Sequence, residues 1–498
     1  MSPNDQAPVF AVVGHPNRGK SSVVATLSQN DRIAIALEPG TTRDSQTYPL
    51  TVDGRTLYTL VDTPGFQRPR RVLEWLEAHS LSASDRPDTV AAFVHQHRDN
   101  PRFRDECELL SPIIEGAGII YVVDGSVPYT AEQEAEMTIL RWTGQPSLAL
   151  INRIGSDDHT DSWQSALGQF FQVVRSFDAV HAPFEKHLSL LKAFGQLRPE
   201  WEQPLDDATH HLTRQREDRQ WQSARLIADA LSDLMRHQES RTLPKNLPVP
   251  GSESREALET RLRERWYQHQ REREERLRRE VERLYQHHQI ARQEAELSWH
   301  HDHDLFSEST RQAWAVSRRY LATAGFGAGA VGGAGIDALT LGHSLGTGAL
   351  IGGLIGAAGT YFYGDKLAVQ ALRLGPLRGN SELQTATFGP VQDLQFGYIV
   401  LGRAVDHWWH ISERNHAGRD PLELPPSDSH WLEQLDSPQR KAIQQALGKL
   451  RKGRKLGTDE QQGLESIIHS ALAGYREWRA GNAASEASAN PDDRGRPR

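Results

Sequence analysis

The stretch Gly14-His15-Pro16-Asn17-Arg18-Gly19-Lys20-Ser21 decides how the first third of the chain is read. It fits the pattern G-x-x-x-x-G-K-[ST] and lies between an apolar run, Val9 to Val13, and a helix-length segment. Glycines let backbone N–H groups close around phosphate oxygens, and the first turn of the following helix favours negative charge there. Lys20 is placed to reach the outer phosphates of a nucleotide, and the Ser21 hydroxyl, with Ser22 beside it, to meet a Mg²⁺ ion. Gly14, Asn17, Arg18 and Gly19 complete the candidate cradle. The alternative is a glycine turn with no ligand.

Two further strings stand at the spacing such a site needs. Asp62-Thr63-Pro64-Gly65 closes an apolar run, Thr56 to Val61, which sets a carboxylate toward the metal and the Gly65 N–H toward a γ-phosphate. Pro39-Gly40-Thr41-Thr42-Arg43-Asp44 offers threonine hydroxyls for a second metal contact that only a triphosphate would hold in place. Around them, short apolar runs alternate with helix-length polar segments, the pattern of an α/β fold with a mostly parallel sheet. The strands expected are Val9 to Val13, Gln46 to Val52, Thr56 to Val61, Gly118 to Val123 and Ser147 to Ile151, with a hairpin turn at Asp53-Gly54. Residues 71–79, 87–97 and 103–114 read as helices of an insertion after the second switch loop.

These residues resemble the TrmE and Era group of bacterial GTPases, whose pattern includes G-x-P-N-x-G-K-S, P-G-T-T-R-D and D-T-P-G. The resemblance covers about residues 8–180. It implies a Ras-like G domain, GTP as the bound nucleotide, hydrolysis to GDP, and Mg²⁺ held by Ser21, Thr42 and Asp62. It also implies catalytic parts for Lys20, Thr42, Asn17 and Gly65, Asn17 either holding a K⁺ ion at the transition state or making a loop-stabilising hydrogen bond. The order of regions is similar to that of an uncharacterised bacterial family in which such a domain precedes a C-terminal domain of unknown function.

The sequence departs from the pattern in two places. Where N-K-x-D would read guanine stands Asn152-Arg153-Ile154-Gly155, with Asp157 and Asp158 displaced, so the choice between GTP and ATP stays open. Asn152 is expected to read a base edge and Arg153 to stack its stem on the base; the last base-contacting loop is expected near Asp178 to His181. Phe66 stands where a Ras-type site has the glutamine that orients the attacking water, with Gln67 one residue further on.

At 498 residues the chain has room for about three domains. A net charge of −8 argues against a surface built to coat nucleic acid, and no DNA partner is expected. One cysteine, Cys107, excludes an internal disulfide and suits a reducing compartment. The first residues lack the apolar stretch of a secretory signal, so the G domain, residues 1–205, is expected in the cytoplasm.

Beyond Leu205 the strands are expected to stop. Residues 206–250 read as a helix and a Pro-rich linker, and 251–320 as a charged segment with a coiled-coil-like seam at Leu277, Val281, Leu284, His288, Ala291 and Ala295. Weaker apolar positions, Leu258, Leu262 and Trp266, precede an interruption at Arg273, and pairing within the chain stands beside self-association through residues 255–299. Residues 321–364 turn to Gly, Ala, Leu and Ile, with glycines every fourth residue at 325, 329 and 333 and at 348, 352 and 356. Flanked by Arg318, Arg319 and Lys366, this segment reads as a helical hairpin entering the inner membrane from the cytoplasmic side, touching lipid or a membrane protein, or as a glycine-packed pair inside a soluble bundle. A helical domain, 365–480, and a polar tail, 481–498, follow. The histidine-rich run His300 to Asp304 is a solvated segment or a structural metal site.

Overall fold

The computed structural model describes residues 7–33, 44–245, 254–288, 373–376, 382–392, 394–418 and 435–489. Thr41 and Thr42, the segment 321–364 and the His300 to Asp304 run lie outside the described residues.

The first domain is built on a six-stranded sheet in the order β2-β3-β1-β4-β5-β6. Its strands are β1 (Val9–Val13), β2 (Gln46–Val52), β3 (Arg55–Asp62), β4 (Gly118–Asp124), β5 (Ser147–Asn152) and β6 (Val173–Ser176). Only β2 runs antiparallel, joined to β3 through Asp53 and Gly54, whose φ angles of 51° and 77° are those of a two-residue hairpin turn. The sequence Gly-Ile-Ile-Tyr-Val-Val-Asp of β4 is buried at every position, as a central parallel strand covered on both faces must be.

One face is covered by α1 (Lys20–Leu27), α7 (Phe184–Gly195) and the beginning of α8 (Pro199–Arg236). The other is covered by α2 (Pro69–His79), α3 (Arg86–His97), α4 (Arg104–Ile114), α5 (Ala131–Trp142) and α6 (Thr160–Leu167). The helices α2 to α4 occupy the segment between β3 and β4 that the sequence marks as longer than a minimal domain of this kind requires.

Helix α8 joins two cores. At 38 residues it is roughly 57 Å long at 1.5 Å per residue. Trp201, Leu205, Ala208 and Leu212 lie in the core of the first domain, whereas Ala224, Ile227, Leu231, Leu234 and Met235 lie in a second core. Gly118 allows the first docking: a Cβ there would stand 2.5 Å from the Trp201 ring.

The second core also takes residues from α9 (Arg255–Leu284), α10 (Leu394–Ser412), α11 (Ser437–Leu450) and α12 (Thr458–Ala489), so this region is mainly helical. Strands do not stop at Leu205, however. β7 (Glu239–Pro244), β8 (Arg373–Pro376) and β9 (Leu383–Phe388) form an antiparallel sheet in the order β7-β9-β8, so part of the stretch read as a linker is a sheet edge. Proline at Pro244 and Pro376 is compatible with edge strands, which need not donate on their outer side.

The apolar positions of α9 favour pairing within the chain over self-association. Leu258, Leu262, Trp266, Leu277 and Val281 are buried in the chain's own second core. Arg273, which breaks the seam, turns to Asp233 of α8, with Nε 3.5 Å from the carboxylate. Among the described residues no helix is long and apolar enough to cross a membrane.

Candidate nucleotide site

The Gly14 to Gly19 loop leaves β1 and delivers Lys20 and Ser21 into the first turn of α1. Gly14 has φ 143°, and a Cβ there would lie 2.4 Å from the carbonyl oxygen of Val122, so only glycine lets the loop turn against β4. Asn17, exposed at the crest, adopts left-handed backbone with φ 59°, which asparagine tolerates better than most side chains. Lys20 is buried. Its Nζ donates to the carbonyl oxygens of Gly14 (3.2 Å) and His15 (3.1 Å), folding the ammonium back over the loop. Burial pushes its pKa below the ordinary lysine value, while the carboxylates of Asp62 and Glu136 pull the other way.

Ser21 and Asp62 meet as the sequence requires: Ser21 Oγ donates to Asp62 Oδ2 at 2.8 Å. Two hard oxygen donors side by side at the mouth of an N–H-lined loop suit Mg²⁺, which favours oxygen ligands and substrate phosphates. Thr63 turns inward, its hydroxyl donating to the Val12 carbonyl at 2.8 Å, which ties the end of β3 to β1. Gly65 passes so close to Pro16 that a Cβ would stand 2.6 Å from the proline nitrogen.

Phe66 is buried in the core under α2 and α4 and cannot serve the site. Gln67 is exposed, and its N–H donates to Glu106 Oε1 at 3.0 Å, as does that of Arg68 at 2.6 Å. Helix α4 therefore clamps the chain just beyond Gly65. It also holds the segment after residues 34–43, because Arg104 pairs with Asp44, and Ser45 Oγ donates to the Glu108 carbonyl at 3.0 Å. Glu106 escaped the sequence reading since a glutamate in an amphipathic helix normally marks its solvated face.

A second buried carboxylate supports the loop from behind. Glu136 of α5 binds His15 Nδ1 at 2.9 Å and accepts from the Tyr121 hydroxyl at 2.8 Å. Burial first, and the Glu136 charge next, raise the Tyr121 pKa well above its usual value. Arg18 lies 3.4 Å from Asp124, whose other oxygen accepts from the Ser126 backbone and hydroxyl.

The base-recognition segment differs from expectation. Asn152 is buried: Oδ1 accepts the Ala179 N–H at 3.2 Å, and Nδ2 lies where a Gly19 Cβ would be, 2.2 Å from that point. Asn152 thus binds the loop at Asp178 to His181 and packs against the phosphate loop at Gly19. Arg153 Nη1 lies 3.4 Å from the Asp158 carboxylate, and its Cγ lies beside Gly125, 3.2 Å from the position of a Cβ there. Ile154 is half-exposed, with Cδ1 3.4 Å from the position of a Gly19 Cβ. Gly155 packs against Ser126 and offers no carboxylate. The 178–181 loop is closed by Asp178, whose Oδ1 accepts from the Val180 and His181 N–H groups at 2.9 and 3.0 Å.

With this geometry in hand, comparison with known proteins is specific. Residues 9–153 match the family described as 50S ribosome-binding GTPase, and residues 164–473 match the Domain of unknown function (DUF3482), more than half of the chain. The chain belongs to the DUF3482 family. Its first domain is of the P-loop GTPase type, as the TrmE and Era resemblance implies. The GTPase Der of Caldanaerobacter subterraneus subsp. tengcongensis is 36% identical over 119 residues, 23% of this chain and 27% of that one. The GTPase Der of Lactobacillus helveticus is 44% identical over 85 residues, 16% of this chain and 19% of that one. The DUF3482 chain thus spans about a quarter or less of the curated relatives it matches. Among solved structures, Aquifex aeolicus Era bound to GDP·AlF4⁻ is 15% identical over 48% of this chain and 72% of that one, with a TM-score of 0.26, too low to carry an argument.

Proposed function

We propose that the DUF3482 chain binds GTP with Mg²⁺ and hydrolyses it to GDP and phosphate, and that nucleotide state governs its helical second domain. The observation that carries this reading is the pairing of Ser21 with Asp62 beside a buried Lys20 anchored on the glycine loop. In this reading Gly14, Asn17, Arg18, Gly19, Lys20, Ser21 and Ser22 surround the phosphates, and Thr41, Thr42 and the Gly65 N–H sense the γ-phosphate. Ser21, Thr42 and Asp62 would hold Mg²⁺, which would supply charge neutralisation to the phosphates. The base lies against Ile154, between the phosphate loop and the loop at Asp178 to His181. Positive charge at the transition state would come from Lys20 and from a K⁺ ion that Asn17 would hold.

The apolar composition of residues 321–364 supports placing the protein at the cytoplasmic face of the inner membrane. A second reading, a soluble ribosome- or RNA-associated assembly factor, draws on the description of the family matched by residues 9–153. Membrane and ribosome fractionation separates the two.

The catalytic reading is tested with Ser21→Ala in the full chain. GTP turnover is expected to require Mg²⁺ and to fall at least about tenfold in the variant, in keeping with loss of a metal contact, at an unchanged melting temperature. Asn17→Ala is expected to abolish any advantage of KCl over NaCl. Turnover indifferent to Mg²⁺ and to Ser21 would sink the proposal.

A further inference from the structure

The loop that borders the base side of the nucleotide site is not held by the first domain alone. After α10 the chain turns back through Glu413, Arg414, Asn415, His416 and Ala417 and enters the first domain. Asn415 is buried, and its Nδ2 donates to the carbonyl oxygens of both Val180 (3.0 Å) and Ala182 (2.8 Å). Ala417 is buried in the first domain's own core. The Ala179 N–H, one residue before Val180, is the group bound by Asn152 Oδ1, and the Ala179 carbonyl accepts from Thr26 Oγ1 of α1 at 2.7 Å. An amide of the second domain is therefore linked through Val180 and Ala179 to Asn152, whose side chain packs against Gly19 of the phosphate loop.

We propose that Asn415 is a positioning residue for nucleotide binding, and that the base subsite of this protein is complete only when the second domain is docked. This rests on the GTP-binding reading above. The physical reason lies in the geometry of the amide. A carboxamide nitrogen has two N–H groups, and here both are satisfied by carbonyls two residues apart, which fixes the curvature of the 180–182 backbone. Removing them leaves two carbonyls without these donors inside an interface, and the loop is then free to relax away from Asn152.

The neighbouring contacts reach the other side of the same site. The His288 N–H donates to Asp31 Oδ2 at 2.5 Å, and Arg219 Nη1 donates to Gln29 Oε1 at 3.0 Å. Asp31 and Gln29 stand in the turn after α1, immediately before residues 34–43. His416 Nε2 lies 3.2 Å from the Tyr285 carbonyl, and so links the Asn415 turn to the end of α9. One docked surface thus braces the 178–182 loop and the turn after α1 together.

The experiment uses the full chain with Asn415→Ala and Asn415→Asp, the second keeping the shape while removing both donors. Affinity is measured for GTP and for inorganic tripolyphosphate, which carries the phosphates without ribose or base. The proposal expects GTP affinity to fall about five- to tenfold in both variants, with tripolyphosphate affinity unchanged. Equal losses for both ligands, or no loss for either, would overturn it.

Hydrogen exchange of the unaltered protein gives an answer that does not depend on either variant folding: added GTP should slow exchange at 413–418 as well as at 178–182. Protection confined to 178–182 would also overturn the proposal. If the unaltered chain binds tripolyphosphate and GTP alike, or neither, in a way that Lys20→Ala does not change, the GTP-binding reading itself has failed. If that control weakens GTP binding and the Asn415 variants do not, only the present inference has.

Discussion

Replacing Gly65 by alanine should force the phosphate loop and the turn after β3 apart. The new Cβ would stand 2.6 Å from the Pro16 nitrogen and 2.6 Å from its Cδ. An ordinary contact is 3.4 Å or more, so the two strands of chain must part by about 0.8 Å. Both are backbone or ring atoms, and no flexible side chain can yield in their place. Overpacking of this kind costs about 1–3 kcal/mol. In the proposed reading Pro16 belongs to the loop around the β-phosphate and Gly65 to the turn facing the γ-phosphate, so the separation should burden the triphosphate complex more than the diphosphate complex. At about 1.4 kcal/mol per factor of ten, the GTP-to-GDP affinity ratio should fall by about five- to a hundredfold. Titration of the purified variant with both nucleotides, beside a thermal melt, measures this. A ratio and a melting temperature equal to those of the unaltered chain would refute the claim that these two loops are in working contact.

Two other outcomes concern stability. Trp266 is fully buried in the second core and donates to the His237 carbonyl at 3.2 Å, so Trp266→Ala should cost about 3–5 kcal/mol in denaturant unfolding. A cost below about 1 kcal/mol would mean that α9 is not part of that core. Burial lowers the pKa of His287 to about 4 despite the nearby Asp31 carboxylate, and burial, with the His287 charge next, lowers that of His416 well below the ordinary histidine value. The unfolded chain then binds more protons than the folded one between about pH 4 and 6.5, so stability rises with pH across that window and is flat above it. Going from pH 7 to 5.5 should remove about 1.2 kcal/mol through His287. His287→Gln should flatten the slope, and a slope unaffected by it would contradict the assignment.

Much of the first domain was legible because its signals are local. A glycine loop between an apolar strand and a helix, a turn at Asp53-Gly54 and a fully apolar β4 each announce themselves within ten residues. The Ser21–Asp62 pairing followed from the order of two motifs. What stayed hidden depends on distant partners. The strands β7 and β9 pair across some 140 residues, and each shows only a weak alternation, so Pro244 made the first look like linker. The heptad-like spacing of α9 was real, but spacing identifies a buried face without saying what covers it; α8, α10 and the small sheet do. Glu106, Glu136 and Asn415 are polar residues on helices or in turns, where polarity normally means solvent. Only their buried hydrogen bonds reveal them. The placing of Ile154 beside Gly19 depends on how a single loop turns, which no periodicity records.

The central claim is that residues 14–22 and 62–65 bind a nucleoside triphosphate for hydrolysis. Its most direct test is nucleotide affinity and turnover by the full chain with Mg²⁺, comparing GTP and ATP, with Lys20→Ala alongside. The account predicts saturable GTP binding and turnover, both reduced at least tenfold by removing the buried ammonium (about 1.4 kcal/mol or more), with the ATP result reporting how far Ile154 and Gly155 have relaxed base selection. Binding of neither nucleotide, or binding and turnover that Lys20→Ala leaves untouched, would contradict it.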